Sequence, residues 1–174
     1  MSVPPVSPLP PVRKSVVVPL DRLAAFDLFI RRLPEWWPLA ARSVSLEDAV
    51  SCHVEVRVGG RLYEVARDGR EYDWGTFLVL EAGTRAVFTW HPGVPAAAAT
   101  EVEVCFEPQG NETRVAIEHR EWERLGARAS FVRGLMDGGW PGVLARFEAR
   151  ARNASELPPV EGPGCIARGE ADFP

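Results

Sequence analysis

The sequence has few cysteines, and they are poorly placed for cross-linking or for metal binding. Cys52, Cys105 and Cys165 lie far apart, and no two of them form a Cys-x-x-Cys pair. This spacing argues against a disulfide framework and against a zinc cluster. We therefore expect reduced, mostly structural thiols, no metal site and no cofactor.

Long apolar runs and concentrated positive charge are also missing. No apolar run approaches the roughly 20 residues that span a bilayer, so we expect no membrane contact and a cytoplasmic protein. The 174 residues carry a formal net charge of −4, and the basic residues are scattered along the chain. Without a basic stripe the protein is not suited to a run of phosphates, which argues against nucleic acid as a partner.

The motifs of two large enzyme classes are absent. The sequence has no Gly-x-Ser-x-Gly elbow and no Gly-rich phosphate loop followed by Lys-Ser or Lys-Thr. These absences argue against hydrolase and nucleotide-binding functions. The oligomeric state stays open, with a homodimer among the alternatives.

Length and composition favour one domain with an irregular segment at each end. Residues 1–11 are rich in proline and lack an apolar period, which predicts a disordered arm. Residues 153–174 are rich in proline and glycine and predict a tail that adds little to the core. The domain itself is expected over 12–152.

Strand patterns dominate the middle of the sequence. The valine-rich segment 12–18 predicts a first strand, and Asp21 is placed to cap an amphipathic helix over 23–33. Pro34 ends that helix, and a short aromatic turn or second helix follows. Short connections between the later strands favour an antiparallel sheet. These strands are expected at 52–58, 61–66, 74–81, 85–91, 101–107 and 113–122.

A long C-terminal helix over 130–152 is expected to cover one face of this sheet. Glycines and a proline within 138–142 predict a break or a kink. Glutamates alternate with apolar residues in 101–107, so the other sheet face is expected to meet water. The predicted apolar stripe of the helix consists of Phe131, Leu135, Val143, Leu144 and Phe147.

The order of the elements and a series of motifs carry a resemblance. Strand, helix, short aromatic helix, antiparallel meander and closing helix follow one another as in the helix-grip (START-like, SRPBCC) fold. The motifs together resemble bacterial proteins akin to the C-terminal domain of the activator of heat-shock protein 90 ATPase. They are FDLF at 26–29, EWWPL at 35–39, GGRLYE at 59–64, FTW at 88–90, TRV at 113–115, EHREWE at 118–123 and GW at 139–140.

The resemblance covers 12–152 and implies an α+β fold. A curved antiparallel sheet would wrap around the long C-terminal helix, with two short helices after the first strand. In relatives, a cavity between sheet and helix holds apolar or amphipathic small molecules, which implies a small hydrophobic ligand here. The family is named after a co-chaperone with an additional N-terminal domain. Residues 1–11 cannot substitute for that domain, so we expect no chaperone partner.

Six aromatic residues are candidates for the wall of such a cavity, with plain core packing as the alternative for each. Neighbouring residues on a helical turn point about 100° apart, so at most one of Trp36 and Trp37 can face the cavity. Trp90 shares strand parity with Phe88 and is the better candidate. The six ligand-binding candidates are Trp36, Trp37, Trp74, Phe88, Trp90 and Trp140.

Glu64 and His119 are polar candidates on apolar strand faces. Glu64 shares parity with Leu62, and His119 follows Val115 and Ile117 at two-residue steps, so both are expected to face the interior. A neutral histidine with a satisfied hydrogen bond is the usual outcome of such burial, and a buried carboxylate needs a partner or a proton. Glu64 and His119 are counted as ligand-binding candidates, and they form a hypothetical acid/base pair if both reach the cavity.

Three function classes follow from these observations. The primary interpretation is a noncatalytic protein that binds a small hydrophobic or amphipathic molecule in an internal cavity. The enzymatic alternative is a cyclase, dehydratase or isomerase that acts on an aromatic or polyketide-like substrate. The third is a chaperone-linked protein-interaction module.

Overall fold

The computed structural model describes residues 8–155 of the chain. Residues 1–7 and 156–174, which hold Cys165 and most of the predicted arm and tail, lie outside this described part. Two α-helices and a seven-stranded antiparallel sheet form within it. In chain order these are β1 (Val12–Val18), α1 (Arg22–Ile30), β2 (Ala49–Val54), β3 (Arg61–Ala66), β4 (Glu71–Glu81), β5 (Arg85–Trp90), β6 (Thr100–Gln109), β7 (Glu112–Arg120) and α2 (Ala129–Ser155).

The strands lie in the order β1-β7-β6-β5-β4-β3-β2, so that each strand from β2 to β7 pairs with its neighbour in sequence. β1 closes the far edge by pairing with β7, which sets Val12 opposite His119. Short 3-10 helices occupy several connections, namely Leu33–Glu35, Leu46–Asp48, Ala96–Ala98 and Trp122–Arg128.

The first helix begins where the sequence predicts. The Asp21 side chain accepts a hydrogen bond of 2.9 Å from the backbone N–H of Ala24, which satisfies an otherwise unpaired donor of the first turn. α1 then buries Phe26 and Phe29 against Phe106 of the sheet, with ring centroids 5.2 and 6.0 Å apart. This packing joins α1 to the apolar face of the sheet.

The two faces of the sheet differ as the alternation of residues predicts. In β6, Val102, Val104 and Phe106 are buried, whereas Glu101 and Glu103 lie on the opposite face. There Arg120 bonds to both Glu101 and Glu103, each at 2.6 Å. One face therefore carries ion pairs, and the other carries the apolar core.

The long helix differs from its prediction in two respects. It runs from Ala129 to Ser155 without the expected interruption, although Pro141 lacks the N–H that would bond to the helix carbonyl one turn earlier. Phe131 and Leu135 are exposed, with 67% and 51% of their surface accessible. Each lies one residue before a member of the stripe that faces the sheet, and one residue corresponds to a rotation of about 100° around the helix axis. That stripe consists of Val132, Met136, Trp140, Val143, Leu144, Phe147 and Ala151.

Two predicted strands are shorter than expected. β2 ends at Val54, and Val58 is 62% exposed rather than facing the core, because the chain turns at Gly59, whose φ is +79°. β7 ends at Arg120 because Glu121 takes a left-handed conformation with a φ of +68°. The segment that follows leads directly into α2.

Gly75 allows β4 and β5 to approach closely. A Cβ atom at this position would lie 1.7 Å from the carbonyl oxygen of Thr89, so no other residue fits without a shift of the backbone. The approach places Trp74 and Trp90 on the same side of the sheet, with ring centroids 5.9 Å apart. The antiparallel sheet with α2 against it is the helix-grip arrangement that the sequence predicts.

Candidate functional site

A pocket of about 220 Å³ lies between the loop at 38–45, the end of β5 and the middle of α2. Ala41 and Arg42 are exposed at its rim, so it opens to the surface. Most of its lining is apolar, and none of the lining side chains is acidic. The lining residues are Trp37, Ala41, Arg42, Ser43, Trp90, Pro92, Met136, Gly139, Trp140 and Val143.

Three of the predicted aromatic residues, Trp37, Trp90 and Trp140, form the walls of this pocket. The rings of Trp37 and Trp90 lie 5.6 Å apart at an edge-to-face angle. Trp74 packs behind both, 5.5 Å from Trp37 and 5.9 Å from Trp90. A backing ring of this kind restricts the rotamers of the two wall indoles.

Trp36 and Phe88 lie away from the pocket. Trp36 donates its indole N–H to the carbonyl of Leu28 at 2.9 Å and packs on Phe29 and Phe147 within the core. Phe88 contacts Trp90 and Phe77 and supports the sheet side of the wall. Of the two adjacent tryptophans, Trp37 is thus the one that lines the pocket.

Glu64 is buried and holds the loop that forms the rim of the pocket. Its carboxylate accepts hydrogen bonds from the backbone N–H groups of Val44 and Ser45, each at 2.7 Å, from the Ser45 hydroxyl at 2.6 Å and from the Trp74 indole at 2.5 Å. Burial opposes ionisation, but these donors outweigh it and lower the pKa of Glu64 below its usual value. The carboxylate is therefore ionised and serves as an anchor for the loop.

Burial also affects the cysteine next to this carboxylate. Burial, together with the nearby charge of Glu64, raises the pKa of Cys52 to about 11. A thiol of this kind stays protonated at neutral pH and is a poor nucleophile. Cys52 and Cys105 are both free thiols in the described part of the chain.

His119 is fully buried and links the sheet to α2. The Trp140 indole N–H donates to Nδ1 at 3.1 Å, so Nδ1 carries no proton. The proton is therefore on Nε2, which lies 2.7 Å from the Thr100 hydroxyl, and that hydroxyl donates in turn to the Trp90 carbonyl at 3.0 Å. Burial lowers the pKa of His119 to about 3, so the ring is neutral.

A second cavity of about 190 Å³ adjoins the pocket and shares Trp90, Pro92 and Met136 with it. His119 contributes to its lining. Since both ring nitrogens are already bonded to protein, His119 reaches this space as a wall and not as a free acid or base.

The structure does not bring Glu64 and His119 together. Each has its own set of protein partners, and no hydrogen bond or ion pair joins the two among residues 8–155. Glu64 orders the loop at the rim, whereas His119 orders Trp140 in the wall. The hypothetical acid/base pair is therefore not assembled in this conformation.

Sequence reasoning missed Arg42, Ser43 and Met136. Met136 lies one turn of the helix before Trp140, and an apolar stripe drawn through Trp140 would have found it. Gly139 is the glycine of α2 that another group approaches, but Gly134, Gly138 and Gly142 in the same helix face open space, so a glycine in the sequence did not mark the site. Arg42 and Ser43 lie in a loop without periodicity, and no local pattern points to them.

The described residues offer neither a metal cluster nor a spanning helix. No group of three or more histidine, cysteine or acidic side chains suited to a metal ion occurs among them. Within residues 8–155, no helix combines the length and the apolarity that crossing a bilayer requires.

The solved structures that resemble this chain include two relatives of substantial sequence identity. The anthrahydroquino-γ-pyrone synthase Txn09, complexed with SUM, is 36% identical, with 82% of this chain and 97% of that chain covered and a TM-score of 0.58. CalC, a self-sacrificing resistance protein from Micromonospora echinospora, is 32% identical, with 82% and 94% covered and a TM-score of 0.60. No curated protein matches the chain.

The fold and the sequence also match a protein family. The solution structure of an AHSA1-like protein from Aeromonas hydrophila is 24% identical, with 87% of this chain and 99% of that chain covered and a TM-score of 0.56, and it shows the same fold. A family model described as activator of Hsp90 ATPase homolog 1-like protein matches residues 27–152. The chain therefore belongs to the activator of Hsp90 ATPase homolog 1-like family of helix-grip (SRPBCC) proteins.

Proposed function

We propose that this protein binds an aromatic small molecule in the pocket between the loop at 38–45, β5 and α2. The observation that carries the proposal is the arrangement of Trp37, Trp90 and Trp140 around an open space of about 220 Å³. Indole walls favour flat aromatic partners, both by ring contacts and by removal of apolar surface from water at about 25 cal/mol per Å².

The size of the pocket limits the ligand. Sites for drug-sized molecules typically enclose roughly 300–1,000 Å³. At about 220 Å³ this pocket suits a compact ring system, and a larger ligand would extend through the rim at Ala41 and Arg42. A relative at 36% identity is named as a synthase of an anthrahydroquino-γ-pyrone, which supports a fused-ring, polyketide-like ligand.

The test adds bulk at the rim without disturbing the core. Ala41 is exposed and lines the pocket, and the neighbouring Ala40 is exposed and does not line it. Binding of two neutral aromatic compounds, anthraquinone-2-carboxamide and flavone, is measured by isothermal titration calorimetry. We expect Ala41→Trp to weaken binding at least about tenfold, which is about 1.4 kcal/mol, and Ala40→Trp to leave it unchanged. Equal affinities of the two variants, or no binding of either compound to the wild-type protein, would overturn the proposal.

A ring-forming enzyme is the second candidate function. The similarity to a synthase over 82% of the chain favours it. Because the hydrogen-bonding atoms of Glu64 and His119 are already engaged, such a reaction would depend on confinement of the substrate between the indoles.

A model substrate tests this alternative directly. In a 1-hydroxy-2-alkynoylanthraquinone the hydroxyl adds across the alkyne and closes a γ-pyrone ring, so the reaction is an isomerisation followed by absorbance. An enzyme would accelerate closure over the rate in buffer, and Ala41→Trp would abolish the acceleration. A rate equal to that in buffer excludes catalysis of this reaction.

A further inference from the structure

We propose that the pocket selects aromatic ligands that carry an anionic oxygen, and that Arg42 and Ser43 bind this oxygen at the rim. The inference rests on the proposed function, since it concerns the polar group of a ligand whose rings lie between the indoles. Arg42 and Ser43 both line the pocket, and the proposed contacts between the ligand rings and the indoles give neither of them a role.

The backbone around these two residues is held by bonds on both sides. The Trp37 indole donates to the carbonyl of Arg42 at 2.9 Å. Glu64 binds the N–H groups of Val44 and Ser45 at 2.7 Å each. The loop is thus fixed, while neither the guanidinium of Arg42 nor the hydroxyl of Ser43 takes part in fixing it.

The guanidinium of Arg42 has no ion pair and no hydrogen bond within residues 8–155. Its two terminal nitrogens and its carbon lie 3.3–3.4 Å from the position that a Cβ atom of Gly139 would occupy. The group therefore rests against α2 at the one point of the pocket wall where a helical residue has no side chain. A guanidinium offers several donors in one plane, a geometry that matches carboxylate-like oxygens.

The hydroxyl of Ser43 is buried and has no hydrogen-bond partner in the described structure. Buried polar groups are nearly always bonded, and Ser43 lines the pocket beside Arg42, so we assign the missing partner to the ligand. A hydroxyl can donate to an anionic oxygen as the guanidinium does.

The surroundings of the pair favour a negative charge over a neutral group. No acidic side chain lines this pocket to compete for Arg42, so the positive charge of its guanidinium is available to an anionic oxygen. A carboxylate, sulfonate or phenolate on an aromatic ring would place its rings between Trp90 and Trp140 and its oxygens at the rim. The occupant is therefore an acidic aromatic compound.

The test compares two compounds that differ only in charge. Anthraquinone-2-carboxylate and anthraquinone-2-carboxamide share their rings, and their affinities are measured by isothermal titration calorimetry at low salt. We expect the wild-type protein to prefer the carboxylate at least about tenfold, which is about 1.4 kcal/mol. Arg42→Gln should abolish this preference and retain carboxamide binding, while Ser43→Ala should reduce carboxylate affinity severalfold.

Two further variants test whether the position of the Arg42 guanidinium matters as well as its charge. Gly139→Ala requires the guanidinium of Arg42 to shift slightly, because the new Cβ atom would lie 3.3–3.4 Å from it, and should reduce the preference although the charge remains. Arg22→Gln removes another exposed arginine, one that does not line the pocket, and should change nothing. Equal affinity of the wild-type protein for the two compounds, or a preference that survives Arg42→Gln, would overturn the anion site and leave the aromatic site standing. Failure of both compounds to bind would overturn both proposals.

Discussion

The indole of Trp140 in α2 donates a hydrogen bond to Nδ1 of His119 in β7, so that the closing helix is joined to the sheet by two fully engaged side chains. The other ring nitrogen of His119 contacts Thr100, whose hydroxyl bonds to the backbone of Trp90. One chain of hydrogen bonds therefore connects Trp140 and Trp90, two walls of the pocket. Both ring nitrogens of His119 therefore serve to link the helix side and the sheet side of the pocket.

Removal of His119 should destabilise the protein. His119→Ala leaves the indole N–H of Trp140 without a partner in the core and opens a cavity, and we expect a loss of about 3 kcal/mol in the free energy of unfolding. Urea denaturation followed by circular dichroism measures the loss. The exposed His53 offers a control, since His53→Ala should cost no more than about 0.5 kcal/mol. Equal effects of the two changes would contradict the structural role of His119.

The neutral state of His119 predicts a specific dependence of stability on pH. Burial lowers its pKa from 6.5 to about 3, so between these values the unfolded chain binds a proton that the folded protein excludes. The contribution of His119 to the free energy of unfolding is fully present above the pKa of the unfolded chain. It decreases as the pH falls below that pKa, by up to about 1.4 kcal/mol per pH unit. The carboxyl groups with lowered pKa values, such as Glu64, add their losses only nearer their unfolded value of 4.5.

Urea denaturation between about pH 7 and about pH 5 isolates the contribution of the histidine. The wild-type protein should lose stability across this range, and His119→Gln should lose less, because the titrating group is gone. The same slope in both proteins would show that another group is responsible.

The charge of Glu64 should be needed to order the rim of the pocket. Glu64→Gln keeps the size of the side chain but replaces one of the two accepting oxygens by an NH₂ group, which faces hydrogen-bond donors and cannot accept from them. We expect a loss of about 2–3 kcal/mol in the free energy of unfolding. One of the amides of Val44 and Ser45 should also exchange faster with deuterium, because the two bond to different carboxylate oxygens and the glutamine retains only one of them. The exposed Glu47 is the matched control, and Glu47→Gln should change neither quantity.

The close approach of β4 and β5 should tolerate only glycine at position 75. A Cβ atom there would lie 1.7 Å from the Thr89 carbonyl, so Gly75→Ala should cost about 3 kcal/mol or more, or prevent folding. Gly134 in α2 has open space instead, with no atom within 4 Å of the position that its Cβ atom would occupy. Gly134→Ala should therefore stabilise the helix by about 0.5–1 kcal/mol in the same thermal or urea denaturation experiment. A Gly75→Ala protein of wild-type stability would refute the steric argument.

Local patterns predict much of this fold. The segment 12–18 is a strand with the predicted bounds, Asp21 caps α1, and Glu64 and His119 face the interior as their parity with apolar neighbours indicates. These features depend on periods of two or 3.6 residues and on neighbouring backbone groups, which are visible within a few positions of the chain.

Errors arise where distant contacts compete with local patterns. The alternation at 52–58 continues beyond Val54 in the sequence, but β2 ends there because the chain turns before β3. The choice of Phe131 and Leu135 for the buried face of α2 failed because several apolar stripes were compatible with the sequence, and only the packing of Trp140 and Phe147 selects one. Pro141 is accommodated within one continuous helix.

The sequence by itself determined the family, the antiparallel sheet, the closing helix and the inward direction of the two buried polar residues, because these follow from motifs and from residue periodicity. The tertiary structure alone decided which indoles form a wall, which acceptors satisfy Glu64 and His119, and that Arg42 and Ser43 lie unpaired beside them. A loop without periodicity takes its position from its bonding partners, above all the Glu64 carboxylate of β3, which becomes its neighbour only when the chain has folded.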